Sequence, residues 1–528
     1  MTEPTLSLSV PDSPAFGEAL QQAVDDAVAS RIFAQDATLW GPDAEHEAGI
    51  RLAWTHLATE SRPLVAELAS LHDELASAGL DHVVLCGMGG SSLAPEVICR
   101  AAGVELTVLD SSQPDMVRRA LEDRLERTVV VVSSKSGGTV ETDSQRRAYE
   151  QAFRDAGIDP AERIVVVTDP GSPLEEQSRD AGYRVFLADP HVGGRYSALT
   201  AFGLVPSALA GADVAALLDQ AEAVTGLVAG DSTDNPALQL GVALGVANHD
   251  QVDKLVLADT TGSGLGDWIE QLVAESTGKI GRGILPVVVE SPEAPNADPS
   301  TRDSVVVTIG SDSAPSDTSG YAAGLVGDLG AQFLLWEVAV AVAGRLIGIN
   351  PFDQPDVESA KQAARDLLGG AGEAEKPAFT ETDVSVFGTD ATTVEDAVAD
   401  LLAALDDEHG YVAIQAYLDR TGLPELAEVR APLAERLARP VTFGWGPRFL
   451  HSTGQYHKGG PATGVYLQVT AEPRQDLAVP GRDFSFGDFI ASQASGDAQV
   501  LRDKGRPVVR LHFADAQAAV ARLRELLA

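Results

Sequence analysis

A strand-like apolar run that ends in hydroxyls, glycines and one lysine constrains this 528-residue chain more than any other feature. The run covers residues 128–132, the loop at 134–139 reads SKSGGT, and a helical pattern begins at Val140. Free backbone N–H groups at a helix start favour an anion, and the hydroxyls and the ammonium group add donors. The loop lacks the glycine spacing of a nucleotide P-loop, so a sugar monophosphate is the better candidate ligand. An ordinary turn capped by serine or threonine is the alternative.

The composition indicates an acidic protein with more than one domain, because 528 residues is long for a single hydrophobic core. The formal net charge of −40 at pH 7 repels nucleic acid and anionic lipid, so we expect neither as a partner. No apolar run reaches the roughly 18 residues that span a membrane, and the N-terminus shows no secretory pattern, which together predict a cytoplasmic protein. Cys86 and Cys99 give neither a disulfide framework nor a zinc set, and we expect both to be inert core residues.

Strands and helices alternate along most of the chain. Residues 13–79 have the pattern of two or three helices. Apolar strands then follow in two series, at 82–86, 105–109, 128–133, 163–168 and 184–188, and at 254–258, 284–289 and 304–309. A long apolar helix is predicted for about 320–347. This alternation is typical of parallel sheets with helices on both faces.

We therefore predict an α/β fold divided into four segments. They are an N-terminal helical segment at 1–80, a first α/β unit with the phosphate loop at 81–225, a second α/β unit at 226–370, and a C-terminal α/β region at 371–528. A stretch rich in Gly, Ala and Glu at 369–376 precedes the last segment. Within that segment the sequence predicts strands at 384–387, 411–415 and 464–470, and helices at 394–406 and 514–527.

Two further glycine-rich loops could form other walls of the same pocket. Residues 87–92, GMGGSS, follow the first predicted strand, and ligands bind at such strand ends in doubly wound sheets. Residues 192–197, VGGRYS, allow close backbone approach to a ligand, and Arg195 could hold a phosphate or stabilise an oxyanion. The alternatives are a tight turn for the first loop and an arginine that caps or packs a turn for the second.

Three motifs carry candidate acid–base groups. Glu275 in ESTGK lies beside an apolar helix face and could act as a base, although a solvated glutamate at a helix end is the alternative. Gln354 and Lys361, in NPFDQPDVESAK, lie seven residues apart and share one face if the helix is continuous. LHSTGQYHKGG contains His451 and His457, without the nearby carboxylates that zinc would need. Either histidine could transfer protons near neutral pH or be a hydrogen-bonded structural residue.

Taken together, six motifs resemble those of phosphoglucose isomerase: GMGGSSLAPE, SSKSGGTVET, VGGRYSALTAFG, AESTGK, INPFDQPDVESAK and LHSTGQYHKGG. The resemblance covers about 82–361 and resumes at 445–470. The family fold is a pair of flavodoxin-like sugar-isomerase units, which agrees with the two strand series. The resemblance implies an aldose–ketose isomerisation between glucose 6-phosphate and fructose 6-phosphate that needs no metal or organic cofactor.

The resemblance also implies roles for individual residues. Glu275 is similar to the base that carries a proton between C2 and C1, and Arg195 to the group that stabilises the enediol-like intermediate. His451 and Lys361 are similar to the pair that opens the pyranose ring. The residues implied to hold or flank the phosphate are Ser134, Lys135, Ser136, Thr139, Ser91 and Gln354.

The order of the motifs departs from most of the family. There the histidine segment lies between the base and the FDQP motif, whereas here it follows Lys361. We infer that a rearranged C-terminal region delivers His451, with His457 as the alternative. Family members are usually dimers whose sites borrow a histidine from the neighbouring subunit, which predicts a homodimer.

Two other functions stay open from the sequence. The same chemistry could also accept mannose 6-phosphate, because epimerisation at C2 needs only a rotation about the C2–C3 bond of the intermediate. A non-catalytic sugar-phosphate sensor would keep the phosphate loop and lose the base. The presence of Glu275, Arg195 and Lys361 disfavours the sensor.

Overall fold

The computed structural model describes residues 4–298, 303–314, 320–356 and 375–528, together with Gln362, Arg365 and Leu368. Within these residues the strands form three sheets, two of five strands and one of six. Short 3-10 helices at loop positions are Ala37–Trp40, Ala53–His56, Gly89–Ser91, Leu125–Arg127, Pro160–Glu162, Gly194–Tyr196, Pro424–Val429 and Arg448–His451.

The N-terminal segment contributes one strand and a set of helices: β1 Thr5–Ser9, α1 Pro14–Asp25, α2 Val28–Phe33, α3 Pro42–Ala48, α4 Leu57–Glu60 and α5 Pro63–Ser77. The prediction of helices alone was incomplete for this segment. Strand β1 pairs antiparallel with Ala322–Val326 at the edge of the second sheet. The side chains of these helices share one hydrophobic core with both α/β units.

The first α/β unit contains a parallel five-stranded sheet. Its elements are β2 His82–Gly87, α6 Leu93–Ala102, β3 Thr107–Leu109, α7 Pro114–Glu122, β4 Thr128–Ser133, α8 Val140–Asp155, β5 Ile164–Thr168, α9 Pro173–Asp180 and β6 Arg184–Leu187. The strand order β3-β2-β4-β5-β6 is the flavodoxin-like order. Gly87 at the end of β2 pairs with Ser133 at the end of β4, so the loops at 87–92 and 134–139 leave the sheet side by side. In sheets of this order, that position is where ligands bind.

The second α/β unit follows three connecting helices, α10 Ala201–Leu209, α11 Val214–Val228 and α12 Pro236–His249. Its elements are β7 Lys254–Asp259, α13 Leu265–Thr277, β8 Leu285–Val289, β9 Ser304–Ile309, β10 Ala322–Val326 and α14 Leu329–Ile347. Strands β10, β9, β7 and β8 are parallel, in that order, and β1 completes the sheet. The predicted helix at 320–347 was therefore wrong in its first residues. Gly324 lies in β10, where its backbone packs against the loop after β9. A Cβ at this position would lie 2.3 Å from the Ser313 carbonyl oxygen.

Helix α14 is long and apolar enough to cross a membrane by length and composition alone, which differs from the sequence expectation. However, 89% of its apolar window is buried inside the protein. Its side chains belong to the shared core of the N-terminal helices and the two α/β units. It is therefore a core helix of the second unit. Cys86 and Cys99 are also buried and unpaired, as predicted.

The C-terminal region contains a mixed six-stranded sheet with its own hydrophobic core. Its elements are β11 Phe379–Glu381, β12 Val384–Phe387, α15 Val394–Ala403, β13 Tyr411–Tyr417, α16 Arg430–Leu437, β14 Val441–Trp445, α17 Gly454–Gly459, β15 Gly464–Ala471, α18 Phe486–Asp503, β16 Val508–Phe513 and α19 Ala516–Leu527. The order is β11-β12-β16-β15-β13-β14, with the last four strands parallel. The sequence analysis missed the strands β11, β14 and β16 and the helices α16, α17 and α18. The histidine segment follows β14, in the 3-10 turn Arg448–His451 and in α17.

Candidate active site

Glycine-rich turns bring the first unit into direct contact with α13, the helix that carries Glu275. The Gly89–Ser91 turn packs on the Gly194–Tyr196 turn with no space between them, since a Cβ on Gly90 would lie 2.0 Å from the Gly194 carbonyl oxygen. Gly89 has a φ of +55°, and its Cβ would lie 2.7 Å from Nε2 of Gln271 on α13. Ser91, a predicted phosphate neighbour, ends the first of these turns.

The hydroxyl loop at 134–139 is organised by its own side chains. The Ser134 hydroxyl accepts a hydrogen bond from the Gly137 N–H at 3.2 Å and donates to the Thr139 hydroxyl at 3.3 Å. The Ser136 hydroxyl accepts from the Gly138 N–H at 3.2 Å. Helix α8 starts directly after Thr139, whose side chain makes no capping hydrogen bond. The first N–H groups of α8 are therefore not capped by the Thr139 side chain. An anion site at a helix start needs such uncapped N–H groups.

Lys135 has protein partners in this structure. Its ammonium lies 3.1 Å from the Asp169 carboxylate and donates to the carbonyl oxygens of Val192 at 2.6 Å and Pro190 at 3.3 Å. Burial lowers the pKa of Lys135, and the Asp169 carboxylate opposes that shift. The ammonium thus joins the hydroxyl loop to the loop that leads to Arg195.

A buried carboxylate and a buried guanidinium form the centre of the site. Glu275 is 4% exposed and Arg195 is 2% exposed. Arg195 Nη1 lies 3.5 Å from Glu275 Oε2. Arg195 Nε also donates to the Ser276 hydroxyl at 2.8 Å, which fixes the guanidinium beside the end of α13. The alternative of a solvated glutamate at this position is wrong.

Two buried cations hold the turn at 350–354. Arg195 donates to two carbonyl groups of this turn at 2.6 and 3.0 Å, and to Gln354 Oε1 at 3.3 Å. The Lys279 ammonium donates to the Asp353 carboxylate at 2.6 Å. Burial, and then the charge of Arg195, lowers the pKa of Lys279 to about 7. Lys361, the predicted partner in ring opening, lies outside the described residues.

His451 reaches the site from the C-terminal region and faces a carboxylate of the first unit. Its Nε2 lies 3.1 Å from Oε1 of Glu141, which is in the first turn of α8. Gln493 of α18 donates to the same oxygen at 2.8 Å. With Glu141 ionised, Nε2 carries the proton, so Nδ1 of the neutral ring is an acceptor. Gln271 donates to the His451 carbonyl oxygen at 2.8 Å and to Glu275 Oε1 at 3.4 Å, and so links the two groups.

His457 belongs to a different environment. Its Nδ1 lies 3.0 Å from the Tyr411 hydroxyl, and its ring stacks on Tyr411 with centroids 5.8 Å apart. Burial lowers the pKa of His457 well below its usual value. It is an aromatic core residue of the C-terminal sheet, and His451 is the histidine that meets Glu141.

The structure thus connects Gln354, Arg195, Glu275 and His451 in one network that meets the hydroxyl loop through Glu141. The sequence analysis missed several members of this network: Glu141, Gln271, Ser276, Lys279 and Gln493. A signal for Glu141 was present, because it lies in the first turn of the helix directly after the hydroxyl loop, where the helix dipole stabilises a carboxylate. Gln493 gave no such signal, since it contacts Glu141 across 352 residues of sequence.

Comparison with known proteins supports the same reading of the motifs. Residues 67–282 match the family model "Phosphoglucose isomerase". The probable glucose-6-phosphate isomerase of Haloarcula marismortui is 36% identical over 225 residues, which are 41% of this chain and 51% of that protein. The glucose-6-phosphate isomerase of a Cyanothece species is 35% identical over 215 residues, 37% of this chain and 40% of that protein.

The matched part of the chain, residues 67–282, belongs to the phosphoglucose isomerase family. Its alignments with these two relatives span about half of the relatives' length or less. The solved glucose-6-phosphate isomerase from Chlamydia trachomatis has the same fold, with a TM-score of 0.57 and 20% identity over 70% of this chain and 89% of that one. In this structure, His451, which lies outside the matched residues, contacts Glu141 of the same chain.

Proposed function

We propose that this chain interconverts glucose 6-phosphate and fructose 6-phosphate by proton transfer through an enediol-type intermediate. The observation that carries the proposal is the buried Glu275 carboxylate 3.5 Å from the buried Arg195 guanidinium. Removal of a proton from carbon needs a positioned base and a fixed positive charge where the oxyanion develops. Glu275 takes the proton from one of C1 and C2 and returns it to the other, while Arg195 stabilises the intermediate.

Ring opening is assigned to His451 and Lys361. A proton leaves the anomeric hydroxyl, its electron pair forms the carbonyl bond at C1, the bond from C1 to the ring oxygen breaks, and the ring oxygen gains a proton. We assign one of these proton transfers to His451, because Glu141 fixes its tautomer. Lys361 is assigned to the other by its position in the family motif.

The hydroxyl loop is assigned to the phosphate. Ser134, Ser136 and Thr139 surround the start of α8, and the phosphate accepts hydrogen bonds from these hydroxyls and from backbone N–H groups. Binding energy from this remote group orients the reacting carbons at Glu275. The proposal also includes a homodimer, which the family motifs imply, in the cytoplasm. The acidic composition argues against nucleic acid and anionic membranes as partners.

The direct test is to incubate the purified chain with glucose 6-phosphate and identify the products by NMR. Fructose 6-phosphate should form, and the reverse reaction should reach the same equilibrium. Mannose 6-phosphate among the products would extend the activity to the C2 epimer. Calorimetric binding without turnover would favour the sensor and contradict the proposal.

Removing a hydroxyl from the phosphate loop is expected to weaken substrate binding. Thr139→Val should raise KM for glucose 6-phosphate by about 10-fold with a smaller change in kcat, because a hydrogen bond to a charged group contributes about 1.5–3 kcal/mol. Steady-state kinetics measure both constants. Thr225→Val is the matched control, since its hydroxyl bonds only the Ala221 carbonyl oxygen in α11 among the described contacts. An unchanged KM for Thr139→Val would remove this loop from the phosphate site.

Assembly of the site within one chain can be tested by mixing inactive variants. Glu275→Gln and His451→Asn chains, allowed to exchange subunits, are expected to show no recovered isomerase activity. The reason is that each chain brings its own histidine to its own Glu141. Activity that rises with exchange time would mean that the histidine crosses to another subunit.

A further inference from the structure

A buried ionic cluster joins the C-terminal region to the first α/β unit. We call Arg448, Arg420, Glu96 and Asp110 the Arg448 cluster. Arg448 Nη1 lies 2.6 Å from Glu96 Oε2 and also contacts the Asp110 carboxylate. Arg420 lies 3.1 Å from Glu96 and 3.0 Å from Asp110. All four side chains are at most 14% exposed.

The Arg448 cluster connects the turn that carries His451 to the first α/β unit. Arg448 is the first residue of the 3-10 turn that ends at His451. Glu96 is in the first turn of α6, directly after the Gly89–Ser91 turn of the site. Asp110 follows β3 in the same sheet. The guanidinium therefore ties the histidine turn to the strand ends of the first unit.

Ion pairing inside the cluster favours the charged forms of Glu96 and Arg448. Burial raises the pKa of Glu96, but the guanidiniums of Arg448, Arg420 and Arg100 outweigh burial and hold that pKa well below its usual value. Burial lowers the pKa of Arg448, and the carboxylates of Glu96, Asp110 and Asp267 outweigh this, so that the net pKa is well above its ordinary value. Both arginines contact Glu96 and Asp110, and Arg448 also lies 3.4 Å from Asp267, so the shared ion pairs favour one geometry of the cluster.

We infer that Arg448 is a positioning residue for ring opening, which fixes the Arg448–His451 turn so that the His451 imidazole stays on Glu141. The inference rests on the proposed function. Glu275 depends less on this anchor: Arg448 contacts α13 through Asp267 in its first turn at 3.4 Å, whereas Glu275, near the other end of the helix, is held by Arg195 and Gln271. Loss of Arg448 should therefore affect ring opening far more than proton transfer between C2 and C1. A displacement of about 1 Å at a reacting group can lower a rate by about 100-fold.

The test isolates ring opening from proton transfer. In the Glu275→Gln background, the exchange of α and β anomers of glucose 6-phosphate is followed by exchange NMR, and the spontaneous rate in buffer is subtracted. We expect the Glu275→Gln chain to accelerate this exchange. Adding Arg448→Met should lower the acceleration at least 10-fold, and Arg448→Lys should restore part of it.

The Arg448→Met variant is expected to fold, because Arg420 still neutralises the buried carboxylates. Arg420 still contacts both Glu96 and Asp110 when Arg448 is replaced, and thermal unfolding checks that the chain is folded. Arg430→Met in the same background is the matched control. Arg430 is a buried arginine that joins the C-terminal region to Glu290 of the second unit, away from the histidine turn. It should leave the anomer exchange within twofold.

Three results would overturn the inference. They are an Arg448→Met chain with unchanged anomer exchange, an equal loss in the Arg430→Met control, and a Glu275→Gln chain that does not exceed the rate in buffer. Isomerisation of glucose 6-phosphate by the unaltered chain is measured separately. If the unaltered chain does not isomerise glucose 6-phosphate, the proposed function is wrong. If it does, any of the three results removes only the role of Arg448.

Discussion

Replacing Glu275 with glutamine is expected to lower kcat for glucose 6-phosphate isomerisation by about 1,000-fold. The amide keeps the size of the carboxylate and its place beside Arg195, but it cannot accept a proton from carbon, and general bases contribute about 100- to 10,000-fold. Sugar-phosphate affinity should change little, because the phosphate loop is untouched. Steady-state kinetics and calorimetry with glucose 6-phosphate measure the two quantities.

The control for this variant is Glu337→Gln, the same change at a buried carboxyl of the core helix α14. Burial raises the pKa of Glu337 well above its usual value, and neither of its oxygens has a hydrogen-bond partner among the described residues. It should leave kcat unchanged. Retained turnover in Glu275→Gln would show that another group moves the proton.

Replacing Arg195 with methionine is expected to lower kcat by about 100- to 1,000-fold. Removing one donor that stabilises a developing oxyanion has about this effect, and Arg195 supplies a full positive charge in a buried site. Arg195→Lys keeps the charge but not the planar fork that contacts Ser276 and the turn at 350–354, so it should recover only part of the loss. The measurement is kcat at saturating substrate for both variants.

Thermal unfolding of both Arg195 variants separates a catalytic loss from a folding defect. Arg439→Met is the comparison, because Arg439 is also a buried, ion-paired arginine, held by Asp303 outside the site. It should lower stability and leave kcat of the folded fraction near normal. A folded Arg195→Met chain with normal kcat would contradict the assigned role of Arg195.

Local patterns allowed much of the first unit to be predicted. A run such as 128–132, buried on both faces, gives an unbroken apolar stretch that is recognisable as a parallel strand. The loop after it needs glycines and hydroxyls in sequence, so its position at the end of β4 followed from the residues alone. Arg195 and Glu275 were singled out as candidates beside glycine-containing motifs, and the resemblance to phosphoglucose isomerase implied their roles.

The features that could not be predicted from the sequence depend on contacts between residues far apart in the chain. Strand β1 gains its partner at Ala322–Val326, more than 300 residues away, and that partner has apolar residues in a pattern that a helix shares. The contact of His451 with Glu141 spans 310 residues, so no local pattern could show which histidine reaches the site. The choice between His451 and His457 was decided by packing of the C-terminal sheet against the first unit.

A crystal structure of the Glu275→Gln chain with bound glucose 6-phosphate would test the central claim most directly. The account predicts the phosphate in the loop at 134–139 and C1 and C2 within about 3.5 Å of the side chain at position 275. A sugar phosphate bound with its phosphate away from this loop, or with C1 and C2 out of reach of position 275, would contradict it.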